Sequence, residues 1–179
     1  MENFDYDLRS IQEARELARK GEAAAKTMAG YTEEQIDRIL KSMVKAAEEH
    51  AACLAEMAVE ETGFGKALDK TYKNHAAATL LYDDIKDMKT VGIIDEDKAR
   101  GTLDVAHPAG LVMGIVPSTN PTSTVIYKSM IAVKAGNAIV FSPHPSAAKC
   151  TLKAAEVMRD AAVAAGAPKG IIAWIDVPS

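Results

Sequence analysis

Apolar residues recur at helical intervals from the start of the chain. Leu8, Ile11, Ala14, Leu17 and Ala18 form a narrow stripe in a stretch rich in Ala, Glu, Arg and Lys. The spacing predicts a helix from about Asp7 to Ala29, stopped at Gly30. Thr32-Glu-Glu-Gln35 then has the form of a capping box, in which each outer side chain satisfies the other residue's backbone N–H. Ile36, Ile39, Leu40, Met43, Val44 and Ala47 continue one face toward His50. A further helical run, Ala51 to Glu61, ends at Gly63, a residue suited to the left-handed position after a helix. From Lys66 to Lys89 a third helical section puts Leu68, Tyr72, Ala76, Leu80 and Ile85 on its expected packing face.

The pattern changes near Thr90. Val91-Gly-Ile-Ile94 is β-prone, residues 95–101 are polar, and Thr102 to Ala106 alternates as a strand does. Residues 91–106 read as extended structure outside the main core, either a surface hairpin or an oligomerisation arm. Beyond the turn at Pro108 and Gly110, the apolar run Leu111 to Val116 predicts a strand ending in a polar loop bracketed by Pro117 and Pro121. A helix follows from Thr122 to Ala135, with Val125, Ile126, Met130, Ile131 and Val133 as its packing face and Gly136 as its stop. Asn137 to Phe141 is a nearly all-apolar strand, as expected where helices cover both faces. Ser142-Pro-His-Pro145 is its exit loop, Ala147 to Ala165 the next helix, and Ile171 to Ile175 a third strand.

This order predicts an α/β fold, N-terminal helices followed by a Rossmann-like parallel βαβαβ unit with right-handed crossovers. The expected organisation is a helical part over 1–89, a β arm over 90–107, and the first half of a nucleotide-binding domain over 108–179. A buried parallel strand is normally followed by more sheet, so the sequence reads as the truncated front portion of a larger protein.

Composition narrows the class. With 48% hydrophobic and 26% charged residues the chain is ordinary for a globular protein, and its net charge of −4 leaves no basic footprint for nucleic acid. The two cysteines, Cys53 and Cys150, both lie in helical stretches, which favours reduced thiols over a disulfide framework. No apolar run reaches membrane-spanning length and the first residues lack a signal-peptide pattern. A soluble, cytoplasmic protein without a membrane partner is expected.

Candidate chemistry concentrates in two loops. Strand, polar loop, helix is how an open α/β sheet builds a ligand site, yet neither G-x-G-x-x-G nor a phosphate-loop motif is present. Asn120 either shapes the turn and caps the following helix, or donates to an oxyanion formed during acyl transfer. Ser142-Pro-His-Pro145 is either a rigid turn or a strand exit kept open for a cofactor. Cys150 has no evident base beside it in the sequence, so a structural role is favoured over a nucleophilic one. The N-terminal helices carry no clustered metal ligands, and no metal is expected.

At Pro117-Ser-Thr-Asn-Pro-Thr-Ser-Thr124 and Phe141-Ser-Pro-His-Pro145 the chain closely resembles the coenzyme-A-acylating branch of the aldehyde dehydrogenases. That branch includes the aldehyde dehydrogenase half of bifunctional aldehyde-alcohol dehydrogenases. Glu61-Thr-Gly-Phe-Gly65, Asp69-Lys70, Lys73-Asn74, Ala164-Ala-Gly-Ala-Pro168 and Trp174-Ile-Asp176 extend the likeness along nearly the whole chain. The resemblance implies an NAD-binding domain, a catalytic domain and a β-arm that builds homo-oligomers. It implies conversion of an aldehyde, coenzyme A and NAD⁺ to acyl-coenzyme A and NADH, reversibly, through a cysteine thioester. Asn120 would stabilise the oxyanion, and Pro117, Ser118, Thr119, Ser142, Pro143, His144 and Pro145 would line the NAD site. Hydrolytic members place Lys and Glu where Ser142 and Pro145 stand, to hold the adenosine ribose, which points to the acylating branch and a different grip. They also carry Asn where Thr119 stands, one position before Asn120. The family's nucleophilic cysteine and nicotinamide loop fall beyond residue 179, so the chain alone is expected to be inactive. Alternatives are a non-catalytic module that pairs with a full-length partner or a microcompartment shell, and an acylating enzyme for another aldehyde such as succinate semialdehyde.

Overall fold

A computed structural model describes residues 5–176. The chain start read for a signal peptide and the last residues of the expected 108–179 segment lie outside the described residues. Helix α1 (Tyr6–Met28) is followed by α2 (Glu33–Thr62) and α3 (Ala67–His75). A single π-turn (Ala76–Leu80) joins α3 to α4 (Leu81–Ile85). A hairpin of β1 (Gly92–Asp97) and β2 (Thr102–Ala106) comes next. The alternating unit is β3 (Leu111–Val116), α5 (Pro121–Lys134), β4 (Ala138–Pro143), α6 (Ala148–Ala164) and β5 (Ile172–Trp174).

The predicted βαβαβ unit is present. β3, β4 and β5 form a parallel sheet in that order, with Leu111 opposite Ala138 and Ile139 opposite Ile172. α1 packs on one face, touching all three strands, while α5 and α6 lie together on the other. α2 covers α5 and α6, and α3 packs against α2. Close approach is set by small residues. A Cβ on Gly21 of α1 would come within 2.6 Å of Leu111, and one on Gly114 of β3 within 2.7 Å of the Phe141 ring. Phe141, Ile139, Ile126, Met130 and Met158 are fully buried around this sheet, each contributing about 1.5–3 kcal/mol of transfer free energy.

α2 is one continuous helix, where the sequence suggested a run to His50 and another from Ala51. No Gly or Pro interrupts it, and the apolar face carries through Ala51, Leu54, Ala55 and Ala58. The Thr32–Gln35 capping box forms with both hydrogen bonds in place, and Gly63 takes φ 70° at the other end. Lys134, buried at the end of α5, reaches Glu33 and Asp37 at the start of α2 and the Lys86 carbonyl after α4. Three helix ends are thereby tied together by one ammonium group.

Three apolar faces differ from expectation. In α1 the buried positions are Ser10, Gly21, Ala24, Ala25 and Met28. Leu8 and Ile11 are exposed and Ala14, Leu17 and Ala18 half-buried, because the close approach to the sheet is made on the face of Gly21, which lies against Leu111. In α3 and its continuation, Leu68, Tyr72, Ala76 and Leu80 face out, and only Ile85 of the predicted set is buried. Lys70, Asn74 and Ala78 take the inner face instead, since the polar pair finds hydrogen-bond partners there. On α5, Ile131 is exposed beside the open edge of β3.

β1 extends to Asp97, further than the β-prone run to Ile94, because it pairs antiparallel with β2 through to Asp97 opposite Thr102. Both strands are almost wholly exposed. β5 is shorter than the predicted 171–175, with Ile175 N–H still bonded to the Phe141 carbonyl.

Candidate functional site

Parallel register decides where the two candidate loops meet. Val116, the last residue of β3, lies opposite Pro143, the last of β4. Residues 117–120 and 144–145 therefore leave the same carboxyl edge of the sheet side by side. Ser142 and Pro143 belong to the strand and not to its exit loop, because the ladder with β3 runs on through Ile115 opposite Ser142. His144 and Pro145 follow, and Pro145 opens a short 3-10 turn (Pro145–Ala147) before α6. Pro117 and Thr119 are exposed, Ser118, Asn120 and Ser142 half-buried, Pro143 buried, and His144 and Pro145 exposed. His144 Nδ1 is taken by Ser146, accepting from its backbone N–H at 3.2 Å with its hydroxyl at 2.8 Å.

Asn120 starts α5 with its backbone only. Its carbonyl accepts from Thr124 N–H at 3.2 Å, and Pro121 fills the first helical position, where a missing N–H costs nothing. The side chain makes no capping hydrogen bond. Its Oδ1 instead accepts from Lys73 Nζ at 3.0 Å.

Lys73 is one of three polar side chains that α3 turns toward the loop. Lys70, 4% exposed, donates to the Thr119 carbonyl at 2.6 Å. Asn74, fully buried, donates to the Ala51 carbonyl and accepts from the Thr122 hydroxyl, both at 2.9 Å. Positions 70, 73 and 74 share one helix face, and they hold residues 119, 120 and 122 in turn. Desolvation lowers the Lys70 pKa, and repulsion from Lys73 lowers it further. The sequence contained these residues only as points of resemblance. The available signal was polar residues at helical spacing inside a stretch otherwise read as apolar on one side.

The amino terminus of α6 is closed. Glu61, at the end of α2, accepts from Lys149 N–H at 2.8 Å and Cys150 N–H at 2.7 Å. A helix amino terminus after a parallel strand commonly holds a ligand phosphate, but here a protein carboxylate fills that role. Cys150 is fully buried with Ala58 and Ala147. The sequence showed no acid or base near it, yet Glu61 is a neighbour. Burial first, then the Glu61 carboxylate, pushes the thiol up to about 12. Cys150 is a neutral thiol at physiological pH, as a structural role requires.

Among the described residues no group of three or more His, Cys, Asp or Glu side chains could hold a metal ion. No helix among them is long and apolar enough to cross a membrane.

The sequence profile of the aldehyde dehydrogenase family matches residues 5–177. The chain belongs to the aldehyde dehydrogenase family. Over 170 residues it is 47% identical to the bifunctional aldehyde-alcohol dehydrogenase of Escherichia coli (strain K12), a match covering 95% of this chain and 19% of that protein. The structure is similar to that of an acetylating aldehyde dehydrogenase from Geobacillus thermoglucosidasius, with a TM-score of 0.96 and 58% identity over 98% of this chain and 39% of the other. It is also similar to a Rhodopseudomonas palustris propionaldehyde dehydrogenase solved with bound coenzyme A and an acylated cysteine, at a TM-score of 0.78 and 27% identity, covering 92% and 37%. This aldehyde dehydrogenase chain therefore spans about a fifth of the bifunctional relative and less than two fifths of each solved one.

Proposed function

We propose that the chain is the amino-terminal part of a cytoplasmic, NAD-dependent, coenzyme-A-acylating aldehyde dehydrogenase. In this reading residues 117–120 and 142–145 form one wall of the dinucleotide and thioester site. The observation that carries the reading is the register of Val116 opposite Pro143, with Asn120 at the head of α5 and its amide already oriented by Lys73. Lysine can only donate, so the atom facing it is Oδ1, and the Nδ2 donor is left for another acceptor. With the α6 amino terminus capped by Glu61, the residues at the ends of β3 and β4 are the ones that would hold the dinucleotide.

NAD⁺ supplies the hydride acceptor and coenzyme A the thiol that takes the acyl group. The nucleophilic cysteine lies outside these 179 residues, since Cys150 is buried and protonated and Cys53 lies on the exposed side of α2. As a cysteine attacks the aldehyde, negative charge grows on the former carbonyl oxygen. The Asn120 Nδ2–H donates to that oxygen, and Lys73 stands behind it. Pro117 and Pro121 limit the loop's freedom, so the donor is in place before charge develops. The β1–β2 hairpin serves as the assembly arm of a homo-oligomer.

Two measurements test the reading. The isolated chain should form no NADH from acetaldehyde and coenzyme A above background, and turnover by it would overturn the placement of the nucleophile. In the complete enzyme Asn120→Ala should lower kcat by about 10²–10³, the usual effect of removing one oxyanion donor. An unchanged kcat would remove Asn120 from the reaction.

A further inference from the structure

We infer that Lys73 is a positioning residue for catalysis, fixing the orientation of the Asn120 amide and raising the acidity of its free N–H. The inference rests on the reading of Asn120 as the oxyanion donor.

A side-chain amide at the head of a helix has a competing use, since its oxygen is well placed to accept from the free N–H groups of the first turn. Asn120 does not take it. Its oxygen is drawn instead to the Lys73 ammonium at 3.0 Å. Three consequences follow. First, the amide cannot flip, because an NH₂ group facing an ammonium would set donor against donor. Second, a cation on the oxygen pulls electron density out of the amide, so the N–H at the other end becomes a stronger donor. Hydrogen bonds linked in series polarise one another in this sense. Third, the positive charge lies one amide away from the oxygen that becomes negative, an attraction that grows only as the transition state is approached.

Lys70 complements this on the backbone. Its bond to the Thr119 carbonyl fixes the peptide plane that leads into Asn120. The two lysines divide the work, with Lys70 buried and holding the chain, and Lys73 exposed and holding the reactive side chain. Among the described residues the Lys73 side chain makes no other hydrogen bond that the fold would miss on its removal, whereas Lys70 and Asn74 are buried and their loss would disturb packing.

The test is a double-mutant cycle in the complete acylating enzyme, with residues 1–179 as its amino-terminal part. Lys73→Met should lower kcat for acylation by about 10- to 150-fold, on the scale of a hydrogen bond to a charged group. KM for NAD⁺ and for coenzyme A should stay within about twofold. Lys73→Arg, which can also donate to Oδ1, should recover most of the loss. In an Asn120→Ala background Lys73→Met should have no further effect. A full-strength effect in that background would overturn the inference, because Lys73 would then act without Asn120. A normal kcat in Lys73→Met would overturn it while leaving the oxyanion reading intact, provided Asn120→Ala is impaired. A normal kcat in Asn120→Ala would instead remove the oxyanion reading itself, and this inference with it. Thermal midpoints of all variants should agree within a few degrees, and a large fall in Lys73→Met with a matching loss in Lys73→Arg would assign Lys73 to the fold.

Discussion

Glu61 and Cys150 show how one contact can settle what two residues do. The carboxylate satisfies two orphan N–H groups at the start of α6 and faces the positive end of the helix dipole. The same carboxylate opposes ionisation of the thiol next to it, after burial has already done so. With the thiol pushed up to about 12, only about one molecule in 10⁴ would carry thiolate at pH 8. Alkylation of the native chain with iodoacetamide at that pH should therefore modify Cys53 alone, and Cys150 only after unfolding. Rapid modification of both sites would contradict the buried placement. Glu61→Gln should lower the Cys150 pKa and cost about 1–2 kcal/mol of stability through the weakened cap. Denaturant titration with parallel thiol titration reads both effects. The structural role of Cys150 was legible in the sequence, but the Glu61 contact was not, since its partners in one hydrogen bond lie 88 positions apart.

Elements were legible where their causes are local. Thr32 and Gln35 announce their capping box within four residues, and Gly63 its left-handed turn, because both depend on backbone groups next to them. The parallel unit was legible too, since apolar runs such as Ala138 to Phe141 make sense only when covered on both faces. The inner face of α3 was not, because its burial is decided by residues 119, 120 and 122, which supply partners for Lys70, Lys73 and Asn74. A lysine with a carbonyl waiting for it can outcompete Leu68 or Tyr72 for the interior, and periodicity alone cannot report that. Lys134 is the same case at the end of α5. Burial works against the charge on both Glu33 and Lys134, but their mutual hydrogen bond and attraction prevail, so Glu33 is lowered and Lys134 raised. A depressed carboxylate stabilises the fold above its ordinary range and loses that contribution as pH falls through its folded value. A raised lysine stabilises below its ordinary range and loses it as pH rises through its folded value. The tie should thus be fully effective between about pH 5 and pH 10. Lys134→Met should cost about 1–3 kcal/mol at pH 7, less than a fully buried pair because both carboxylates reach solvent. The cost should shrink as pH falls below the ordinary glutamate range and through the lowered folded value of Glu33, where its carboxylate takes up a proton. Urea unfolding of both proteins across that range checks the sign.

At the scale of the whole molecule, the described surface carries apolar groups that the chain itself does not cover. Leu68, Tyr72 and Leu80 line the outer side of α3 and its continuation, and Met113 and Ile115 flank the unpaired edge of β3. An open parallel edge with a side chain like Ile115, 72% exposed, invites pairing. The β1–β2 hairpin adds Ile93, Ile94, Leu103 and Val105, all exposed. Its two strands pack chiefly on each other, so it contributes little to the core around the sheet. That separation makes the arm testable apart from the fold. Replacing residues 93–105 with a short Gly-Ser turn should leave the unfolding midpoint of a monomeric form within a few degrees, because almost no buried area is lost. In the complete enzyme the same change should shift the species seen by sedimentation velocity to smaller assemblies, since the exposed isoleucines, leucine and valine would no longer find a neighbour. If the oligomer persists unchanged, the arm assignment fails and the apolar side of α3 becomes the stronger candidate for the contact. If the midpoint collapses, the hairpin is part of the fold after all, and its exposed side chains need another explanation.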